Sequence, residues 1–288
     1  MKTILLCSDL DRTLIPNGAQ PESPQARPAL FRLAAHSGLR LAYVSGRDRN
    51  LVREAITEFH LPQPDFVIGD VGATLYRVEG QQWRMSQAWW RDIGRDWHGL
   101  AHDDIQALLA EVKDVELQLQ PPEKQNKYKI SYYTDPSVDA GKFREKIAGI
   151  LEDHGVAANI IWSRDEAEQR GLLDILPRRA NKLLAIRFLM DTEEMAEYRT
   201  VFAGDSGNDL DVLTSGLQSI LVNNAAEDVR KTATERLSEQ GYSSGRLYLA
   251  KGGFQGMNGN YAAGVLEGLV HFFPETAGWV TSAVNTPG

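Results

Sequence analysis

A chain of 288 residues, 42% of them hydrophobic, is long enough for one large or two medium domains with a full core. Its formal net charge of −8, with no basic run, excludes a nucleic-acid partner and means that any anionic ligand must be met by locally placed positive charge. The single cysteine, Cys7, excludes an intrachain disulfide, and the first apolar run is broken by Asp9 too early for a signal peptide or a membrane span, so a cytoplasmic protein without a membrane partner is expected.

Residues 3–7 read as a strand buried in a sheet, and the chain leaves it through Ser8-Asp9-Leu10-Asp11-Arg12-Thr13. Helical spacing over 24–35 precedes a second strand, 39–44, whose exit is Ser45-Gly46-Arg47. A helix over 50–59 and a strand over 65–68 follow. Segment 82–170 differs in character. In it, 115–119 and 129–133 look like strands of a smaller sheet, with helices near 103–110 and 140–154. Trp83, Trp89, Trp90 and Trp97 near its start read as packing residues rather than a sugar-stacking platform.

The alternation then resumes. Asn181-Lys182 opens a helix over 182–189, a strand over 200–203 leads into Gly204-Asp205-Ser206-Gly207-Asn208-Asp209, and another strand covers 219–222. The glycine-rich stretch 252–260 reads as a mobile connection rather than a second phosphate cradle, and it leads into a helix over 262–272. The tail after Pro274 is expected to be loosely held. The pattern predicts an α/β fold: a Rossmann-like, doubly wound parallel sheet core over 1–81 and 171–288, with an inserted smaller α/β cap domain over 82–170.

The polar motifs stand at strand exits or at a helix start beside one, where sheets of this kind bind ligands. Two carboxylates one residue apart, Asp9 and Asp11, raise each other's pKa unless a cation lies between them. A Mg²⁺ ion held by hard oxygens is the usual solution. Asp9, nearest the strand, is the candidate nucleophile for phosphoryl transfer, and Asp11 the candidate acid and base, protonated at first. Asp205 would be the third metal ligand beside Asp9 and the Asp11 carbonyl, with Ser206, Asn208 and Asp209 orienting ligands and waters around it. Ser45, the Gly46 amide, Arg47 and Lys182 would hold the phosphate oxygens. Together these segments describe a phosphate-ester hydrolase.

The ordered set resembles the haloacid dehalogenase superfamily of aspartate-nucleophile phosphatases, and the position of the insert resembles its subclass with a mixed α/β cap. Gln125-Asn126-Lys127-Tyr128-Lys129-Ile130-Ser131-Tyr132, Asp135-Pro136, Asp174-Ile175-Leu176-Pro177 and the Ala262-Ala263-Gly264-Val265-Leu266-Glu267 helix start are similar to the sucrose-phosphate phosphatase branch. The resemblance implies the nucleophile at Asp9, the acid/base at Asp11, phosphate ligands at Ser45, Gly46 and Lys182, a metal ligand at Asp205 and a small-molecule sugar phosphate as partner. Sucrose 6-phosphate leads; mannosylfructose phosphate, a glucosylglycerol-type phosphate and a non-catalytic sugar-phosphate-binding protein are the alternatives. Asn126, Lys127, Lys129 and Ser131 are the expected sugar contacts, with the two lysines and the serine alternating on one strand face. The chain departs from the branch at Arg12 and in Val71-Gly72-Ala73-Thr74, which lacks the acidic residue expected two positions after the glycine. A monomer or weak dimer is expected.

Overall fold

Strand β1 (Ile4–Ser8) is buried along its whole length, because neighbouring strands flank it on both edges and apolar layers cover both faces. The computed structural model describes residues 3–110, 112, 115–165 and 168–281. The chain divides into two units, one of Met1–Met85 with Ile186–Gly288 and one of Ser86–Ala185.

In the first unit, α1 (Ala26–Ala34) follows β1 and buries Ala26, Ala29, Leu30 and Leu33, the one-sided spacing of an amphipathic helix. β2 (Leu39–Val44) is followed by α2 (Arg49–Glu58), which Asp48 caps by accepting from the amides of Asn50 and Leu51 at 2.9 and 3.0 Å. β3 (Phe66–Gly69) is followed by the hairpin β4 (Thr74–Glu79) and β5 (Gln82–Met85). The sheet is completed by β10 (Thr200–Gly204), β11 (Gln218–Leu221) and β12 (Leu247–Leu249), giving the order β12-β11-β10-β1-β2-β3-β4-β5. All pairs from β12 to β3 are parallel, and the β3–β4 and β4–β5 pairs are antiparallel. The strand order reverses between β1 and β10, so their carboxyl ends flank a switch point, the ligand-binding position of doubly wound sheets.

α6 (Lys182–Thr192), α7 (Leu210–Leu213), α8 (Glu227–Glu239) and α9 (Ala262–Phe272) connect or follow the later strands. α9 is buried from Ala262 to Leu269, and Gly268 lets it seat on β11, since a methyl there would come within 2.5 Å of Ile220. The expected loose tail is not what the chain forms as far as Thr281. A turn at Pro274–Thr276 leads into α10 (Ala277–Thr281), where Trp279 stacks on His36 at 3.8 Å and the Val280 carbonyl accepts from Arg32 Nε at 2.7 Å. The remainder of that tail, 282–288, lies outside the described residues. The glycine-rich stretch is likewise tied down. Buried Glu267 accepts from Tyr248 Oη at 2.8 Å and from the amides of Lys251 and Gly252 at 3.0 and 2.9 Å, while Asn258 and Asn260 both donate to the Pro21 carbonyl.

The second unit holds α3 (Gln87–Ile93), α4 (His102–Leu109), α5 (Ala140–Asp153) and an antiparallel sheet of β6 (Gln118–Leu119), β7 (Ile130–Thr134), β8 (Ala158–Asp165) and β9 (Arg170–Pro177), in the order β6-β7-β9-β8. Trp89 and Trp97 are buried in this unit, while Trp83 lies on β5 beside Tyr76 in the first. Both expected borders of the insert fall inside regular structure: Gln82 starts β5 of the large sheet, and β9, placed after the insert, pairs with β7 and β8. Of the strand predicted over 115–119, only Gln118–Leu119 pairs.

Glu267 satisfies its carboxylate with three neutral donors, so its loss leaves two loop amides and a tyrosine hydroxyl without their acceptor. Glu267→Ala is expected to lower unfolding free energy by about 3 kcal/mol in urea denaturation; a change inside the error of the titration would show that the loop is held by other contacts.

Candidate active site

Asp9 follows β1 and stays in register with the sheet, its amide donating to the Ala203 carbonyl at 2.9 Å. The chain then turns sharply, with the Leu10 carbonyl accepting from the amides of Thr13, Leu14 and Ile15. Arg12, between these points, has a φ of 57°. Across the switch point, Asp205 follows β10 directly. Asp209 comes back to the same place because the short turn Gly207–Asp209 lets its Oδ2 accept from the amides of Asp205 and Ser206 at 3.1 and 3.3 Å. Gly204 is required for that return: a methyl on it would lie 2.6 Å from Asp209 Oδ2.

The result is a cluster of Asp9, Asp205 and Asp209, all buried, with one carboxylate oxygen from each within 4.8 Å of the others. Three like charges removed from water repel strongly unless a cation is shared among them. Arg12 Nε lies 3.4 Å from Asp205 Oδ2, and Thr13 Oγ1 donates to Asp205 Oδ1 at 3.4 Å. The cluster has carboxylate oxygens only, the donor set of a hard divalent cation rather than of zinc. The residues therefore fit a resident metal ion. Asp209, expected to orient the ligands from behind, contributes an oxygen to the cluster itself, whereas Ser206 and exposed Asn208 bond to each other at 2.8 Å.

The Asp11 carboxylate is held apart from this cluster. Arg47 grips it with two donors, Nε to Oδ2 at 2.8 Å and Nη2 to Oδ1 at 2.7 Å, and Asn17 Nδ2 donates to Oδ1 at 2.8 Å. Hydrogen bonding to Asp11 raises the pKa of Arg47, against the opposing effect of burial. Arg47 and Asn17 both meet the Asp11 carboxylate as donors, and together they draw it toward the exit of β2. Ser45 is buried, its amide donating to the Ile68 carbonyl at 2.9 Å and its Oγ accepting from the Arg47 amide at 3.2 Å. The turn after β3 supports this loop. Asp70 and Val71 adopt φ values of 50° and 59°, and their amides donate to the Arg47 and Ser45 carbonyls at 2.9 and 3.2 Å. The acidic group that Thr74 fails to provide is present one turn earlier, where Asp70 Oδ2 accepts from Thr74 Oγ1 at 3.1 Å.

In the second unit, Lys182 is the first residue of α6 and buried, with Asn181 Oδ1 capping the helix through the Leu184 amide at 2.9 Å. Lys129 and Ser131 are buried and meet on Asp174 of β9: Ser131 Oγ donates to Asp174 Oδ1 at 2.5 Å, and Lys129 Nζ lies 3.9 Å from it. Asn126 and Lys129 pair through their backbones, and the buried Asn126 Nδ2 has no hydrogen-bond partner. The expected alternation of Lys127, Lys129 and Ser131 on one strand face is not formed. β7 starts only at Ile130, and exposed Lys127 sits on the preceding turn with its ammonium 5.1 Å from the Tyr128 ring.

Residues 2–273 match the model of the sucrose-6F-phosphate phosphohydrolase family. The chain belongs to that family. A relative described only as a HAD-like hydrolase, from Nitrosococcus oceani, is 56% identical over 96% of this chain and 74% of its own length. Glucosylglycerol-phosphate synthase of Pseudomonas anguilliseptica is 30% identical over 93% of this chain, which spans only 31% of the synthase. Among solved structures, sucrose-phosphatase of Synechocystis sp., in complex with sucrose and phosphate, is 28% identical with a TM-score of 0.68, covering 94% of this chain and 98% of that one.

Membership of this haloacid dehalogenase-type family makes the chain a phosphoric monoester hydrolase. Among the described residues, no helix is long and apolar enough to cross a membrane. Sequence reasoning passed over Asn17, Asp70 and Asn224, and quoted Asp174 only within a motif, without a role. Asn17 reads as one more residue of a Pro-Asn-Gly turn, but Asn223-Asn224 follows a predicted strand beside the switch point and could have been found by asking what leaves each strand.

Because Gly204 alone leaves room for Asp209, Gly204→Ala is expected to push that carboxylate out of the cluster. Calorimetric titration with Mg²⁺ should show affinity weakened roughly tenfold or more; an unchanged Kd would show that Asp209 is not needed to hold the ion.

Proposed function

We propose that this member of the family is a Mg²⁺-dependent phosphatase working in the cytoplasm on a phosphorylated disaccharide or comparable glycoside, with sucrose 6-phosphate the leading substrate. The observation that carries the reading is the separation of two neighbouring carboxylates into different environments: Asp9 in a buried acidic cluster, Asp11 in a guanidinium clamp. Such a division suits a nucleophile and an acid/base.

In the proposed reaction an Asp9 oxygen attacks phosphorus in line with the sugar oxygen. The P–O bond to the sugar breaks as the aspartyl-phosphate bond forms, and Asp11, released from Arg47 and protonated, gives its proton to the departing oxygen. A water then attacks the phosphorus of the aspartyl phosphate, loses its proton to Asp11 and frees Asp9 and inorganic phosphate. Ser45, the Gly46 amide and Lys182 are assigned to the phosphate oxygens, and the forked donors of Arg47, once off Asp11, suit the same anion. Asp9, Asp205 and Asp209, with the Asp11 carbonyl, would hold the Mg²⁺, which supplies charge neutralisation between the phosphate and the attacking carboxylate. Discrimination among sugars is assigned to Lys129, Ser131, Asp174 and the unpaired amide of Asn126, donors and acceptors suited to sugar hydroxyls.

A second substrate reading, a glucosylglycerol-type phosphate, is favoured by the similarity to the Pseudomonas synthase over nearly the whole of this chain. A phosphate-release screen over sucrose 6-phosphate, mannosylfructose phosphate and glucosylglycerol phosphate separates these readings. A non-catalytic binding role would require no release from any of them.

Asp9→Asn should reduce Mg²⁺-dependent phosphate release to background while the far-UV circular dichroism spectrum is retained, because the amide matches the carboxylate in shape but is a poor nucleophile. Residual turnover near the native rate would assign the attack to another group. Lys129→Ala should lower kcat/KM for the disaccharide phosphate by roughly ten- to a hundredfold more than for p-nitrophenyl phosphate, whose leaving group has no hydroxyl pattern to read. Equal losses on both substrates would place sugar selection elsewhere.

A further inference from the structure

Arg12 lies between the two aspartates' segment and Thr13, and its backbone is unusual in two ways. Its φ of 57° is left-handed, a conformation that a side chain with a Cβ adopts only when its surroundings impose it. Its amide and carbonyl are both taken by asparagine side chains: Asn17 Oδ1 accepts from the Arg12 amide at 2.9 Å, and Asn224 Nδ2 donates to the Arg12 carbonyl at 2.6 Å. Each asparagine is engaged at its other end too. Asn17 Nδ2 donates to the Asp11 carboxylate at 2.8 Å, and Asn224 Oδ1 accepts from the amide of Tyr261, itself at a φ of 51° where the chain enters α9. Asn17 is exposed and local, whereas Asn224 is buried and follows the end of β11.

The consequence falls on the neighbours of Arg12. If its φ and ψ relaxed to the right-handed or extended region, the peptide planes on both sides would rotate. The Asp11 side chain would turn away from Arg47, and the Thr13 hydroxyl away from Asp205. We propose that Asn17 and Asn224 are positioning residues that lock the Arg12 turn, and through it fix the Asp11 carboxylate and the Thr13–Asp205 contact for phosphoryl transfer. Asn224 touches no reacting group in this scheme, whereas Asn17 meets the Asp11 carboxylate as well as the Arg12 amide, so Asn224→Ala is the variant that isolates the lock. The inference rests on the phosphatase reading for its kinetic consequence and on backbone geometry alone for the lock.

The test uses Asn17→Ala, Asn224→Ala and, as a control, Asn258→Ala, which cuts the glycine-rich loop's bond to the Pro21 carbonyl without touching Arg12. With p-nitrophenyl phosphate and saturating Mg²⁺, the first two variants should lose kcat roughly ten- to a hundredfold, with KM changed by less than about threefold. The control should stay within about twofold of the native kcat. Amide exchange read by NMR supplies a measure independent of activity: the Arg12 amide should exchange about tenfold faster in both variants and not in the control. If the native chain released no phosphate, the catalytic reading would fall while exchange still decided the lock. If Asn224→Ala did not fold, Asn17→Ala, at an exposed position, would decide alone. Native kcat and native exchange in either folded variant, or an equal loss in the control, would overturn the proposal.

Discussion

Three carboxylates brought into one buried space repel each other, and much of the local structure around β1 and β10 serves to make that arrangement tolerable. The parallel strands aim their carboxyl ends to the same side, the backbone of 205 and 206 donates to Asp209, Thr13 donates to Asp205, and a guanidinium stands beside it. None of these contacts matches a shared divalent cation in strength, so the unloaded cluster is held at a cost that metal binding recovers. A glycine at 204 is the steric condition for the whole arrangement, because any larger residue occupies the position of the third carboxylate.

The second constraint is that Asp11, only two residues from Asp9, must not join that cluster. Arg47 and Asn17 draw it away, and the loop bearing Arg47 is in turn supported by the left-handed pair Asp70 and Val71. The separation of the two aspartates is therefore built from three strand exits, β1, β2 and β3, each supporting the one before. The β3–β4 turn thus supports the placing of the Asp11 carboxylate through the loop that bears Arg47.

Much of this was legible in the sequence. The strands leading to Asp9, Ser45 and Asp205 were found within a residue or two of their observed bounds, since short apolar runs ending in polar motifs carry a strong signal. Less legible were β8 and β9, whose half-buried residues mix Asn, Trp, Ser and Arg with Ile and Leu and blur the alternation. Placing β9 with the core followed from that blur. The expected alternation of Lys127, Lys129 and Ser131 on one strand face was missed because β7 begins only at Ile130, which leaves Lys127 on the preceding turn. The roles of Asn17, Asn224 and Asp174 depend on contacts between residues far apart in the chain or on a strained turn, and neither leaves a periodic trace.

The insertion of the second unit between β5 and β10 has a further consequence for how the molecule comes into being. β1 pairs with β2 on one edge as soon as both are made, but its other edge waits for β10, which the ribosome delivers only after the second unit and α6. Until then the Asp9 segment flanks an open strand edge, and the acidic cluster that could hold a metal ion does not exist. Assembly of the acidic cluster is thus scheduled by translation, and a nascent chain truncated before β10 carries Asp9 without Asp205 and Asp209.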